Sequence, residues 1–115
     1  MSETSKAYLI LSTVGSEEEA RSLACRWVES GRAACVTRLP GAGSTYRWKG
    51  EVREDSEVLL LVKTSWASEE EGRALLASLA ADHPYEEPEL IAFAVDEGSP
   101  GYLAWLFARG ESGQE

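Results

Sequence analysis

An α+β sandwich is the fold class predicted for this chain of 115 residues, and three observations predict it. Two segments, opening at Ser16 and at Ser68, carry apolar residues at helical spacing behind a capping box. Residues 7–11, 57–64 and 90–95 are nearly unbroken apolar runs, which read as strands covered on both faces. Finally, residues 44–51 place Tyr46 and Trp48 two positions apart, on one face of a strand, beside a tight Lys49-Gly50 turn.

Taken in order, residues 7–11 form a first strand. Ser16, with Glu19 three residues on, starts the first helix, and Glu17, Glu18 and Glu19 complement the positive end of its dipole. Ala20, Leu23, Ala24, Trp27 and Val28 give that helix one buried stripe, and Gly31 stops it. A second strand over 33–39 meets Pro40, Gly41 and Gly43, which lack a donor or a side chain and predict a bulge or bend. The chain resumes at Ser44, turns at Lys49-Gly50 and returns through Thr64. Ser68 and Glu71 repeat the capping box, while Gly72, Leu75, Leu76, Leu79 and Ala80 repeat the stripe up to Pro84. Residues 90–95 are the last strand, and Ser99-Pro100, an N-cap followed by a first-turn proline, opens a short final helix ending near Gly110. Residues 1–6 and 110–115 are expected to fray.

This order is a duplicated split βαβ, the ferredoxin-like sandwich βαββαβ with a long central hairpin, as one domain over 1–115 with its core at about 7–109. Right-handed crossovers put both main helices on one sheet face and leave the other open. The apolar strands need cover there, and the last helix is too short to supply it. Residues 51–65 fully extended would also span ~50 Å, against about 35 Å for a globule of this size. The hairpin is therefore expected to protrude or to pair with another chain in an obligate homo-oligomer that packs sheet faces and shares hairpin edges.

A net charge of −9 argues against nucleic acid or anionic lipid as partner and favours cations. Cys25 and Cys35 form no CxxC pair and no disulfide framework, and no charged-then-apolar leader opens the chain, which points to a cytoplasmic protein with reduced thiols. No apolar run approaches the ~20 residues of a membrane span.

Several blocks carry a family resemblance: Ala33-Ala34-Cys35-Val36, Leu39-Pro40-Gly41, the run from Ser44 to Gly50, Glu57-Val58 with Lys63-Thr64, His83-Pro84-Tyr85 with Pro88-Glu89, and Tyr102-Leu103-Ala104-Trp105-Leu106. They fall in the order found in the CutA family of divalent-cation tolerance proteins, and the chain resembles that family from Tyr8 to Leu106. The resemblance implies a ferredoxin-like protomer in a tight homotrimer, sheets facing inward and long hairpins joining neighbours. It also implies a part in tolerance to copper and other divalent metals, with copper bound by some members. In animals the family is linked to anchoring of acetylcholinesterase. The family's trimer is similar to that of the nitrogen-regulatory PII proteins, so a ligand-sensing or scaffolding module that binds a small anion or partner protein between subunits is the alternative.

Candidate site residues follow. His83, the one histidine, offers an imidazole for copper or zinc, or else caps helix carbonyls or bonds a carboxylate. The resemblance raises the metal reading at that position, and makes Cys35 a candidate soft ligand or reactive thiol as well as a small buried hydrophobe. Asp82 stands where some members carry a second histidine, and Ser12 where some carry a cysteine. Any site here is thus expected to be weaker for copper(I) and more tolerant of harder divalent ions. Thr37 occupies a place where asparagine is common. Asp82, Glu86, Glu87 and Glu89 surround His83 with oxygen donors, or form a solvated loop. Tyr46, Trp48, Tyr85, Tyr102 and Trp105 either line a partly wet cleft or anchor subunit contacts. Arg47, Lys49, Glu51, Glu57, Lys63 and Glu87 are available to pair across the assembly, and Lys63, inside an apolar strand, needs a carboxylate or an anionic ligand if buried. No organic cofactor is indicated. Neither an HExxH sequence nor a phosphate-binding glycine loop is present, nor does spacing supply a group to orient His83 toward Cys35, so the reading is a binding protein rather than an enzyme.

Overall fold

The structure, a computed structural model, describes residues 5–110. Strands β1 (Lys6–Val14), β2 (Cys35–Trp48), β3 (Glu51–Trp66) and β4 (Ile91–Ala94) form one antiparallel sheet in the order β2-β3-β1-β4, joined by helices α1 (Glu17–Glu29), α2 (Glu69–Asp82) and α3 (Pro100–Phe107). Both serine caps act as read: Ser16 Oγ accepts from the Glu19 N–H and Ser68 Oγ from the Glu71 N–H, each at 3.1 Å, while of the two reciprocal glutamates Glu71 reaches back, to the Ala67 N–H at 2.8 Å. Gly31 stops α1 with a φ of +77°, which a side chain would resist.

Three local expectations change. Ser99 makes no side-chain cap, and α3 instead starts on its backbone carbonyl, which accepts from the Leu103 N–H at 3.0 Å. The last strand is shorter than residues 90–95, although the Val95 N–H still reaches the Ala7 carbonyl at 3.0 Å. β1 begins at Lys6, within the stretch expected to fray; the rest of that expectation falls on residues 1–4 and 111–115, outside the described residues, and on Gly110.

Packing divides by sheet face. Ile10 and Val14 of β1 with Val58, Leu60 and Val62 of β3 meet Ala20, Leu23 and Trp27 of α1 and Leu79 of α2 in the main core. The other face holds a small cluster of Ala7, Ala34 and Leu106 beneath α3. Beyond it Ile91, Phe93 and Leu39 are about half exposed, at 49%, 50% and 55%. The chain thus leaves an apolar face open, as the two-faced strands lead one to expect. The β2-β3 hairpin makes the molecule 47 Å long against 30 and 24 Å across. No described helix is long and apolar enough to cross a membrane.

Candidate functional site

A cleft of about 730 Å³ lies between the hairpin and the loop after α2. Its composition follows from one irregularity in the ladder. Leu39 pairs with Leu59, but the next pair is Ala42 with Glu57, so β2 carries one extra residue at the expected Pro40-Gly41 interruption. Past this bulge Ser44 faces Asp55, Tyr46 faces Arg53 and Trp48 faces Glu51. Partners on an antiparallel ladder project to the same side, so Ser44, Tyr46 and Trp48 join Arg53, Asp55 and Glu57 in the cleft wall. Tyr85, Glu86, Glu87 and Glu89 form the opposite wall, with Thr13 between.

Two tyrosines hold the acids in place. Tyr46 Oη donates to Asp55 Oδ2, and this hydrogen bond above all raises the phenol above its ordinary range. Tyr85 Oη donates to Glu57 Oε2 at 2.6 Å; burial first, then Glu57, hold that phenol well above the ordinary value. Glu57 is only 7% exposed. Among the described residues its second oxygen has no hydrogen-bond partner and no cation pairs with the carboxylate.

His83 supports this wall. It is 7% exposed and caps α2 through its N–H to the Ala80 carbonyl. The Tyr85 N–H donates to Nδ1 at 3.1 Å, which leaves the proton on Nε2 to be donated to the Thr13 carbonyl at 2.9 Å. Burial lowers its pKa and keeps the ring neutral, with both nitrogens engaged. Asp82 is equally committed: Oδ2 accepts from Trp27 Nε1 at 3.0 Å and meets Arg32 at 2.9 Å, while Oδ1 meets Arg26 at 3.4 Å. Cys35 belongs to another part of the sheet. It pairs with Lys63, four residues along β3 from the partner of Thr13, or about 13 Å at strand rise. The expected metal cluster of Cys35, His83 and Asp82 is therefore not assembled within the chain, because each side chain is held by a different network. Among the described residues no three His, Cys, Asp or Glu side chains converge as a metal would require.

The remaining candidates divide the same way. Tyr46, Trp48, Glu57, Tyr85 and Glu89 meet in the cleft, whereas Arg47, paired with Val52, projects to the other side of the hairpin. Among the described residues Lys63 pairs with no carboxylate: its Nζ donates to Thr37 Oγ1 at 2.6 Å and lies 3.8 Å from Cys35 Sγ. Tyr102 adjoins Cys35, and burial, then the sulfur, raise its pKa. Its ring lies 5.5 Å from that of Trp105, which packs on the α3 cluster rather than in the cleft. Sequence reasoning missed Asp55, Arg53 and Ser44 as site residues. Their signal was parity: Asp55 lies two positions before Glu57, hence on the same side of a strand.

Comparison with known proteins accords with this fold. A family profile described as CutA1 divalent ion tolerance protein matches residues 8–109. A divalent-cation tolerance protein CutA of Thermus thermophilus is 47% identical over 98 residues, covering 85% of this chain and 92% of the relative. The crystal structure of CutA from Xylella fastidiosa superposes with a TM-score of 0.81 at 41% identity, over 90% of this chain and 97% of that one. A structure described as the periplasmic divalent cation tolerance protein CutA from Archaeoglobus fulgidus gives a TM-score of 0.80 at 29% identity, over 90% and 98% of the two chains. With an antiparallel four-stranded sheet, three helices and the family's sequence over nearly their whole length, the chain belongs to the CutA1 divalent ion tolerance family.

Proposed function

We propose that the chain serves divalent-cation tolerance as a cytoplasmic homotrimer of ferredoxin-like protomers, a binding protein rather than an enzyme, with copper or another divalent cation as cargo. The observation that carries this reading is the cleft's lining of five carboxylates, Asp55, Glu57, Glu86, Glu87 and Glu89, against one Arg53. Oxygen donors of this kind suit hard divalent ions better than copper(I). Because the donors of one chain do not converge, a neighbouring copy completes the coordination, and the half-exposed Ile91 and Phe93 supply the apolar face for such packing. Cys35, beside Lys63 and Tyr102, remains a candidate soft ligand or reactive thiol outside the cleft. The anion-sensing alternative has less support, since the cleft is acidic and Lys63 is already engaged.

Native mass spectrometry with and without copper, zinc or manganese tests the reading. A trimer that retains metal, and loses it on Glu87→Gln or Glu89→Gln but not on Cys35→Ala, is the expected result. A stable monomer at micromolar concentration, or no retained metal with any of the ions, would remove it.

A further inference from the structure

The carboxylates of the cleft are spread along its walls rather than gathered at a point. That arrangement is poor for chelating a single ion and good for a ligand whose positive charges are themselves spread out. We propose that the cleft binds a linear aliphatic polyamine. The proposal rests on the cleft invoked for metal binding, but not on the metal.

Three features carry it. Glu57, a nine-tenths buried carboxylate in the cleft lining, has one oxygen held by Tyr85 and no cation partner among the described residues, so an ammonium would supply the charge partner it lacks. Tyr46 and Trp48 stand on the same wall, and their rings offer apolar surface to methylenes and a negative face to an ammonium. Lys49 Nζ, 5.8 Å from the centre of the Trp48 ring, already shows a primary amine approaching it. Glu86 and Glu87 on the far wall then receive the second and third charges. Arg53 is the one opposing charge, and its guanidinium turns to Glu51 at 3.8 Å.

Spermidine, putrescine and propylamine titrated into metal-free full-length protein at fixed ionic strength, followed by calorimetry and Trp fluorescence, test the proposal. Affinity is expected to rise with each added amine. Glu57→Gln should weaken spermidine about tenfold or more, and Trp48→Leu about fivefold, while Glu70→Gln on the exposed face of α2 leaves it unchanged. Trp48→Leu lies near the hairpin tip and serves as the second readout should Glu57→Gln misfold. Equal affinity for propylamine and spermidine, or equal losses in Glu57→Gln and Glu70→Gln, would show a diffuse response to net charge and overturn the proposal. So would a neighbouring copy that fills the cleft and leaves spermidine unbound. Retention of metal in the mass-spectrometric assay is read separately, so either proposal fails without the other.

Discussion

His83 and Thr13, seventy positions apart, are joined by a hydrogen bond of 2.9 Å from the imidazole Nε2 to the Thr13 carbonyl, and this bond fixes the loop after α2 against β1. The ring is held neutral by burial, so its folded pKa lies below the ordinary 6.5. Between that value and the depressed one the unfolded chain binds more protons than the folded one, and stability falls as the pH falls. Unfolding free energy measured in urea should therefore decline as the pH drops below about 6.5. The His83→Gln variant should lose about 1–2 kcal/mol at neutral pH and show a flatter decline. An unchanged slope in the variant would assign the decline to other groups.

Asp82 governs a lower window. Burial raises its pKa, but hydrogen bonds from Trp27 and Arg32 and the charges of Arg32 and Arg26 outweigh that and leave it below the ordinary 3.8. The stability it contributes is present above about 3.8 and lost as the pH falls through the depressed value. Replacement by Asn should cost about 1–3 kcal/mol at neutral pH, with the denaturant slope unchanged, because half-buried Arg32 loses its carboxylate while Trp27 keeps an acceptor.

Gly72 in α2 tests packing against propensity. A Cβ there would lie 2.5 Å from Cε2 and 2.6 Å from Nε1 of Trp66, whose ring stacks on Tyr8 at 3.8 Å. Helix propensity favours Ala by about 1 kcal/mol, whereas overpacking costs about 1–3 kcal/mol. Gly72→Ala should thus be destabilised by about 1 kcal/mol and shift Trp fluorescence; a more stable variant would show that the ring yields freely.

Ser12 Oγ is fully buried and, among the described residues, is the one such side-chain atom with no hydrogen-bond partner. On β1 it stands opposite Leu60 of β3, a residue of the main core. Removing an unsatisfied hydroxyl relieves a desolvation cost, so Ser12→Ala should gain about 1 kcal/mol in thermal or urea unfolding. A loss of that size would mean that the hydroxyl finds a partner in solution.

Phe93 sits opposite Leu9 on the open sheet face and is half exposed. Phe93→Glu places a charge where the proposed trimer packs. Light scattering should report a smaller species at micromolar concentration, while the far-ultraviolet circular dichroism stays that of the folded protomer. Retention of the assembly would move the interface elsewhere.

Much of this was legible in the residues. Capping boxes and apolar spacing are local properties, so α1 and α2 were readable from Ser16 and Ser68 onward, and the Pro40-Gly41 bulge from the missing donor and side chain. The open face followed from strands apolar on both sides. The site was less readable, because partners chosen across the fold decide it. Nothing near Asp82 in the sequence says that Arg32 and Trp27 will claim it, or that the Thr13 carbonyl and the Tyr85 N–H will occupy both nitrogens of His83. Ser44 was missed for a related reason: its place in the cleft depends on its register with Asp55, which the bulge sets.

That bulge makes strand register, rather than residue type, the switch for the cleft's polarity. Were the same residues paired one for one onward from Leu39 and Leu59, the alternation along β2 would invert against β3. Gly43, Thr45 and Arg47 would then face Asp55, Arg53 and Glu51 in place of Ser44, Tyr46 and Trp48, and a second guanidinium would stand on the acidic side. The same amino acids would thereby lose an aromatic, cation-seeking groove, so a single bulge separates two surfaces of different chemical preference.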